Sequence, residues 1–242
     1  MPGEVEGRTG RGPGLRSLTT ALLDLVYPPS CAACGEPLGS SAEEPWCATC
    51  ADAVDAPGPG CARCGLPGPD PVCGACLAEP PAFAALRAGG LFGGPLADAV
   101  HALKYRDRPA LARPLGRWLA GRAPLPSGAA VVPVPLSRGR RIARGYDQAA
   151  LLAGWVARAA RLPALPGALR RLRETPPQVG RTRAERARNV AGAFAAGAAV
   201  GGREVLLVDD VVTTGATADA CALALRRAGA VRVTVLALGR AA

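Results

Sequence analysis

Val205-Leu206-Leu207-Val208-Asp209-Asp210-Val211-Val212-Thr213-Thr214-Gly215-Ala216-Thr217 is the stretch of this 242-residue sequence that decides the fold. Its first four residues are apolar, as in the buried strand of a parallel sheet. Two adjacent carboxylates follow at the carboxyl end of that strand, where open α/β sheets bind their ligands. The Thr/Gly turn then opens a helix, whose amide donors and positive end attract an anion.

The two halves of this stretch have complementary chemistry. The carboxylates of Asp209 and Asp210 accept hydrogen bonds, whereas the loop of residues 213–217 donates them. A sugar phosphate needs such a pair, because its hydroxyls donate and its phosphate accepts. The sequence therefore predicts a sugar-phosphate site. The alternative interpretation is that the acids end a strand and Thr213 only starts a helix.

Around this stretch, short β-branched runs alternate with apolar helical patterns, which is typical of an α/β fold. The predicted strands cover residues 130–134, 204–208 and 231–238, and the predicted helices cover residues 96–105, 110–121, 148–161 and 216–228.

Cysteine and arginine divide the chain into unequal parts. Eight of the nine cysteines lie within residues 31–76, and the arginine-rich segments follow almost entirely after them. Ala78-Glu79-Pro80-Pro81 reads as a linker. We expect an N-terminal tail with a short helix over residues 1–27, a cysteine module over residues 28–78 and an α/β domain over residues 83–242.

Four Cys-x-x-Cys pairs make up the cysteine module. A tight turn between two cysteines three apart points both sulfurs at one centre, and four thiolates complete a closed structural zinc site. The simplest assignment gives two zinc ions and uses the pairs in sequence order, with interleaved pairs as the alternative. The first site is then Cys31, Cys34, Cys47 and Cys50, and the second is Cys61, Cys64, Cys73 and Cys76. Disulfides or redox-active dithiols are the other interpretation.

The formal net charge of +10 favours polyanionic partners, which include nucleic acid, phosphorylated metabolites and membrane surfaces. Residues 15–26 predict a short amphipathic helix without a signal-peptide cleavage site. No apolar run is long enough to span a bilayer, so we expect a cytoplasmic protein without a membrane span. Thiols stay reduced in the cytoplasm, and this favours metal over disulfides.

The Thr-Thr-Gly-x-Thr loop after two acids resembles the ligand motif of the type I phosphoribosyltransferases. The wider chain resembles the ComF competence family over roughly residues 20–240. Besides the cysteine module, that resemblance lies in Val132-Pro133-Val134-Pro135-Leu136, Gly145-Tyr146-Asp147-Gln148 and Thr175-Pro176-Pro177-Gln178. It implies a type I phosphoribosyltransferase-like parallel sheet flanked by helices, preceded by a small double zinc ribbon.

The resemblance also implies a ligand and its contacts. Phosphoribosyl pyrophosphate, or a nucleotide, would bind with Mg2+, and Asp209 and Asp210 would contact the ribose hydroxyls as the catalytic pair. The loop after them would hold the 5-phosphate, and residues 135–138 would form the pyrophosphate loop. The expected binding residues beyond the acids are Val211, Thr213, Thr214, Gly215, Ala216, Thr217, Pro135, Leu136, Arg138, Arg144 and Gln178. At position 147 an acid replaces the amide that the family usually carries.

Two arginine clusters lie between the expected pyrophosphate loop and the acidic pair. They are Arg138, Arg140, Arg141 and Arg144, and then Arg170, Arg171 and Arg173 continuing to Arg181, Arg183, Arg186 and Arg188. Guanidinium groups bind phosphate oxygens bidentately and would stabilise the charge that grows on a leaving pyrophosphate. Residues 173–189 would then form a mobile active-site flap. The alternative is that these arginines coat a solvated helix surface.

Three functions follow from these patterns. The first is an enzyme that transfers a phosphoribosyl group to an unknown acceptor. The second, implied by the competence resemblance, is a protein that binds single-stranded DNA during uptake, with competence or recombination proteins as partners and the sugar site as a sensor or vestige. The third treats the zinc module as a docking surface for another protein.

Overall fold

The computed structural model describes residues 29–39, 44–174 and 192–241. Short 3-10 turns lie at Pro109–Leu111 and Ala198–Val200. The helices and strands, in chain order, are α1 (Ala48–Asp52), α2 (Gly74–Ala78), β1 (Ala85–Leu91), α3 (Gly94–Tyr105), α4 (Ala112–Ala120), β2 (Ala130–Pro133), α5 (Arg138–Arg144), α6 (Gln148–Ala160), β3 (Leu169–Arg171), β4 (Phe194–Ala196), β5 (Glu204–Val212), α7 (Ala216–Arg227) and β6 (Arg232–Arg240).

Strands β1, β6, β5 and β2 form a parallel sheet in that order. Apolar side chains of β5 alternate between the two faces of this sheet, since successive side chains of a strand point to opposite sides. Leu206 and Val208 pack with α3, α4 and α6. Val205 and Leu207 pack with α7 and the β3–β4 hairpin on the other face. The predicted fold class, a parallel sheet flanked by helices, is confirmed.

The strand that carries the acidic pair is longer than the sequence predicted. We expected it to end at Val208, but β5 continues to pair with β6 as far as Val212, which lies opposite Arg240. Asp209 and Asp210 therefore lie within the paired part of the strand, and β6 holds their backbone in place. Strand β6 likewise runs to Arg240, two residues beyond its predicted end.

One predicted helix is interrupted, and three strands, β1, β3 and β4, were not predicted. A continuous α-helix from residue 110 would bring the ring of Pro114 against the carbonyl of Ala110, so a 3-10 turn precedes α4. Strand β1 contains Gly89 and Gly90, and glycine is depleted in strands. A Cβ at Gly89 would lie 2.4 Å from the ring of Trp118, and the strand needs glycine there to let α4 approach.

The cysteine module consists of two copies of the same turn. Cys31 N–H donates to Glu36 in the first copy, and Cys61 N–H donates to Leu66 in the second. The glycine after each turn adopts the left-handed conformation, with φ of 81° at Gly35 and 64° at Gly65. Glycine is favoured there because an L side chain is strained at such angles.

This module shares a core with the α/β part. Trp46 packs edge-on against Trp118 at 5.5 Å between ring centroids, and Ala32 and Trp46 belong to the cluster that contains α3 and α4. The predicted boundary within residues 78–81 stays a prediction. The expected N-terminal helix lies outside the described residues, and so do residues 175–189 of the expected flap over residues 173–189. In the described part of the chain, no helix has the length and apolarity to cross a membrane.

Candidate functional site

A cavity of about 720 Å3 opens at the carboxyl edge of the sheet. It lies where the loops after β2 and β5 meet the carboxyl end of α3, at the edge where parallel sheets bind ligands. The predicted site residues that line it are Asp209, Asp210, Val211, Thr213, Thr217, Pro135, Leu136 and Arg144. The structure therefore brings together residues from three separate segments of the sequence.

Asp210 is buried, with 4% of its surface exposed, and both of its carboxylate oxygens have partners. Lys104 Nζ lies 2.6 Å from Oδ1, and Gln148 Nε2 donates to Oδ2 at 2.7 Å. Lys104 belongs to the last turn of α3, where the helix dipole favours a cation. Two helices, α3 and α6, therefore hold this carboxylate. No pattern in the sequence indicates that they lie close together.

Asp209 has a different environment. Its Oδ1 accepts a hydrogen bond from the Asp210 amide at 2.8 Å. Burial, followed by the negative charge of Asp210, raises the pKa of the Asp209 carboxyl from its ordinary value of 3.8 to about 8, although Lys104 opposes this shift. Near neutral pH this group can therefore donate a hydrogen bond as well as accept one.

The Thr/Gly loop connects β5 to α7. Gly215 adopts φ of 84° directly before the first residue of α7, a conformation that a side chain would strain. Thr213 and Thr217 line the cavity, whereas the predicted residues Thr214, Gly215 and Ala216 are not part of the described lining. The positive end of α7, a helix of 12 residues, faces this loop.

Asp147, where an acid replaces the family's amide, links the loop after β2 to α6. Its Oδ1 accepts from Ala150 N–H at 3.0 Å and caps α6, while its Oδ2 accepts from Leu136 N–H at 3.2 Å. The carboxylate therefore fixes the backbone of the expected pyrophosphate loop.

Arginines also line the cavity. Arg144 lies over the ring of Tyr105 at 4.8 Å, and its Nη1 is buried without a hydrogen-bond partner among the described residues. Arg140 and Arg171 also line the cavity, and burial, followed by the charge of Arg140, lowers the pKa of Arg171. Arg138 is exposed at the start of α5 and is not part of the described lining. Gln178 lies outside the described residues.

Sequence reasoning missed one wall of the cavity, which is built by the carboxyl end of α3 and the residues after it. These residues are Lys104, Tyr105, Arg106 and Asp107. One feature of the sequence could have indicated this wall. Lys104 is the only lysine among the 29 lysine and arginine residues of the chain. A second missed feature is α5, which Ser137 caps by accepting from Arg140 N–H and which ends at Gly145 with φ of 76°.

The thiols form two groups in the sequential order that the simplest assignment predicted. Within each group of four, the sulfur atoms lie within 4.8 Å of one another. The Sγ atoms of Cys34 and Cys47 are 3.8 Å apart, and those of Cys64 and Cys73 are 3.7 Å apart. A tetrahedron with bonds of about 2.3 Å has edges of about 3.8 Å, so both groups fit zinc.

Two of these thiols have a lowered pKa and therefore lose a proton more readily than an ordinary cysteine. Burial alone would raise the pKa of Cys31, but backbone amides, led by that of Cys47, outweigh it and lower the pKa to about 6. Burial opposes the shift of the Cys61 thiol in the same way, and backbone amides led by that of Cys64 lower its pKa to about 6. Thiolates are the form that binds metal. The ninth cysteine, Cys221, belongs to α7 and is fully buried in the core on that face of the sheet.

Comparison with known proteins agrees with this arrangement. Residues 22–77 match the double zinc ribbon domain. The chain is 36% identical to DNA utilization protein YhgH of Salmonella typhi, over 89% of this chain and 99% of that protein. It is 33% identical to Competence protein F of Haemophilus influenzae, over 70% of this chain and 78% of that protein. The chain belongs to the ComF competence family.

Membership of the ComF family confirms the resemblance found in the sequence. Among solved structures, glutamine phosphoribosylpyrophosphate amidotransferase from B. subtilis is 25% identical, aligned over 57% of this chain and 27% of its own, with a TM-score of 0.37.

Proposed function

We propose that this ComF-family chain binds phosphoribosyl pyrophosphate with Mg2+ in the cavity at the carboxyl edge of the sheet. The observation that carries the proposal is that Asp209, Asp210, Thr213 and Thr217 line one cavity from consecutive parts of β5 and α7. The carboxylates can then bind the hydroxyls of a sugar phosphate, while the amino end of α7 binds its phosphate group.

Each part of the cavity has a role in this proposal. Asp209 and Asp210 exchange hydrogen bonds with the ribose hydroxyls, and the loop of residues 213–217 donates to the 5-phosphate. Leu136, Arg140 and Arg144 face the pyrophosphate, and Gln178, which lies outside the described residues, is proposed as a further contact. Arg144 is suited to an anion because its buried Nη1 lacks a hydrogen-bond partner within the described structure.

The cavity also fits Mg2+, since carboxylate oxygens are hard ligands of the kind this ion prefers. Mg2+ supplies charge neutralisation for the pyrophosphate when bound. Transfer of the phosphoribosyl group to an acceptor would draw on the arginines, because negative charge grows on the leaving pyrophosphate and guanidinium groups stabilise it. We propose such transfer as the activity, with Asp209 and Asp210 as the catalytic pair.

Isothermal titration of the zinc-loaded protein with phosphoribosyl pyrophosphate and Mg2+ tests the proposal. We expect binding by the wild type and its loss in Asp209→Asn/Asp210→Asn. Glu204→Gln is the matched control, because it removes a carboxylate from the other end of the same strand. Heat from the wild type equal to that of the double variant would contradict the proposal.

A second candidate function is binding of single-stranded DNA. The names of the relatives refer to DNA utilization and competence. In this chain, Arg138, Arg140 and Arg141 are exposed on α5, and Arg140 also lines the cavity. Such a surface suits phosphate backbones. We propose a link to DNA uptake, with competence or recombination proteins as partners.

We further propose a cytoplasmic location, where reduced thiols hold metal. In this arrangement residues 28–78 form the double zinc ribbon and residues 83–242 form the ligand-binding domain.

A further inference from the structure

Arg240, the last residue of β6, lies buried between the zinc ribbon and the sheet, with 4% of its surface exposed. Its Nε donates to the carbonyl of Cys64 at 3.0 Å. Its Nη1 donates to the carbonyl of Val212 at 3.2 Å and also to the carbonyl of Thr213. One guanidinium therefore joins a cysteine turn of the ribbon to the residues where β5 becomes the Thr/Gly loop.

We propose that the second cysteine cluster positions the Thr/Gly loop through Arg240, so that zinc at Cys61, Cys64, Cys73 and Cys76 controls the order of residues 213–217 and their affinity for a phosphate group. The affinity part of this inference rests on the proposed function of the loop. Arg240 is a positioning residue in this scheme, because it acts through the backbone of Val212 and Thr213.

Peptide geometry explains how the contact reaches the ligand side of the loop. A trans peptide is planar, with its N–H directed opposite to its C=O. Holding the carbonyls of Val212 and Thr213 toward Arg240 therefore directs the amides of Thr213 and Thr214 away from it. These are amides of the loop that we propose binds phosphate, and their direction is fixed before any ligand arrives.

The second cysteine cluster fixes the Cys64 carbonyl, which accepts the hydrogen bond from Arg240. Cys64 N–H donates to the Cys61 sulfur at 3.5 Å, and Gly65 N–H donates to the Cys61 carbonyl at 2.9 Å, so the Cys64 carbonyl belongs to the turn that closes around zinc. Structural zinc supplies folding energy to such small modules. Without it the turn loosens and the buried guanidinium loses a fixed acceptor, which is unfavourable for a buried donor.

The first cluster provides an internal comparison. Its contacts with the α/β part run to a different place: Ser30 Oγ accepts from Arg108 at 2.7 Å, and Trp46 packs on Trp118. Trp46 and Trp118 lie on the face of the sheet that carries α3 and α4, and Arg108 lies between these two helices. We therefore expect loss of the first zinc to leave the Thr/Gly loop in place.

Hydrogen exchange of the full, zinc-loaded chain tests the inference without a ligand. In Arg240→Met, amides of residues 213–217 are expected to exchange about tenfold faster than in the wild type, because their anchor is gone. Arg87→Met is the matched control. Arg87 donates to Ala62 of the same ribbon at 3.0 Å, but from β1, away from the loop. Unchanged exchange in Arg240→Met would overturn the inference.

A second pair of variants decides the question if Arg240→Met fails to fold. Cys73→Ser removes a ligand of the second cluster, and Cys47→Ser removes the equivalent ligand of the first. We expect faster exchange of residues 213–217 in Cys73→Ser and wild-type exchange there in Cys47→Ser. Equal effects of the two variants on this loop would show that the second cluster has no special role.

Titration with ribose 5-phosphate separates this inference from the proposed function. If the wild type binds, we expect the affinity to fall about tenfold in Arg240→Met, which removes one buried hydrogen-bonding anchor, and to stay unchanged in Arg87→Met. Equal binding by both variants would contradict the coupling and leave the site intact. If the wild type does not bind, the phosphate site is wrong, and the exchange data alone decide whether the zinc cluster orders the loop.

Discussion

Lys104 Nζ and Asp210 Oδ1 lie 2.6 Å apart, and this ion pair joins the carboxyl end of α3 to the strand that carries the acidic residues. The two side chains are 17% and 6% exposed. Gln148 from α6 donates to the other oxygen of Asp210. Two helices thus converge on one carboxylate of β5, and a contact at each of its oxygens fixes its orientation.

Replacement of Lys104 by Met should destabilise the fold. The variant leaves the buried charge of Asp210 without its cation, and removal of one partner from a buried pair costs about 3 kcal/mol or more. Urea denaturation at neutral pH measures this loss. Lys104→Arg, which keeps the charge, is expected to lose much less. A free energy of unfolding for Lys104→Met equal to that of the wild type would show that the pair is not a net stabilising contact.

The raised pKa of Asp209 predicts a pH-dependent stability. Between pH 3.8 and about 8 the folded protein holds a proton on this carboxyl that the unfolded chain has released. The free energy of unfolding therefore falls as pH rises through this range and levels off above it. Asp209→Asn removes that contribution, so its stability relative to the wild type should increase with pH. Urea denaturation across the range, with Glu204→Gln as the control, checks the sign of the slope.

The presence of the acidic pair and the Thr/Gly loop at one cavity could be predicted from sequence because it is local. Consecutive residues of β5 and α7 supply the carboxylates and the Thr/Gly loop, and their order alone indicates an anion site. The cysteine groups could be predicted for the same reason, since the spacing within each pair limits where the sulfurs can point.

The rest of the site depends on contacts between distant segments. Lys104 meets Asp210 only because α3 packs across the sheet, and Arg240 meets Cys64 only because the ribbon docks on β6. Neither contact produces a periodic pattern in the sequence. Strand β1 was missed for a related reason: Gly89 looks like a loop residue until Trp118 is known to lie against it.

Zinc content provides a direct prediction. The two sulfur groups predict two zinc ions per chain, and Cys31→Ser/Cys34→Ser should retain one of them. Because Trp46 of the ribbon packs on Trp118 of α4, loss of the first zinc should also change tryptophan fluorescence. Elemental analysis and emission spectra test both points, with Cys221→Ser as the control that removes a thiol outside the two groups. Retention of both ions by the double variant would contradict the assignment of Cys31 and Cys34 as zinc ligands.

The arginines of α5 predict how single-stranded DNA binds, if that second function holds. Replacement of Arg140, Arg141 and Arg144 by Gln should weaken the binding of DNA. It should also reduce the slope of log affinity against log salt concentration, by about 0.7 for each phosphate that the protein no longer neutralises. The control variant replaces Arg203, Arg227 and Arg232 by Gln. It removes the same charge from exposed positions at the amino end of the sheet, and its slope should stay closer to that of the wild type. Fluorescence anisotropy of a labelled oligothymidine over a salt series measures both. Equal slopes for the two triple variants would mean that net charge, and not the α5 surface, attracts the DNA.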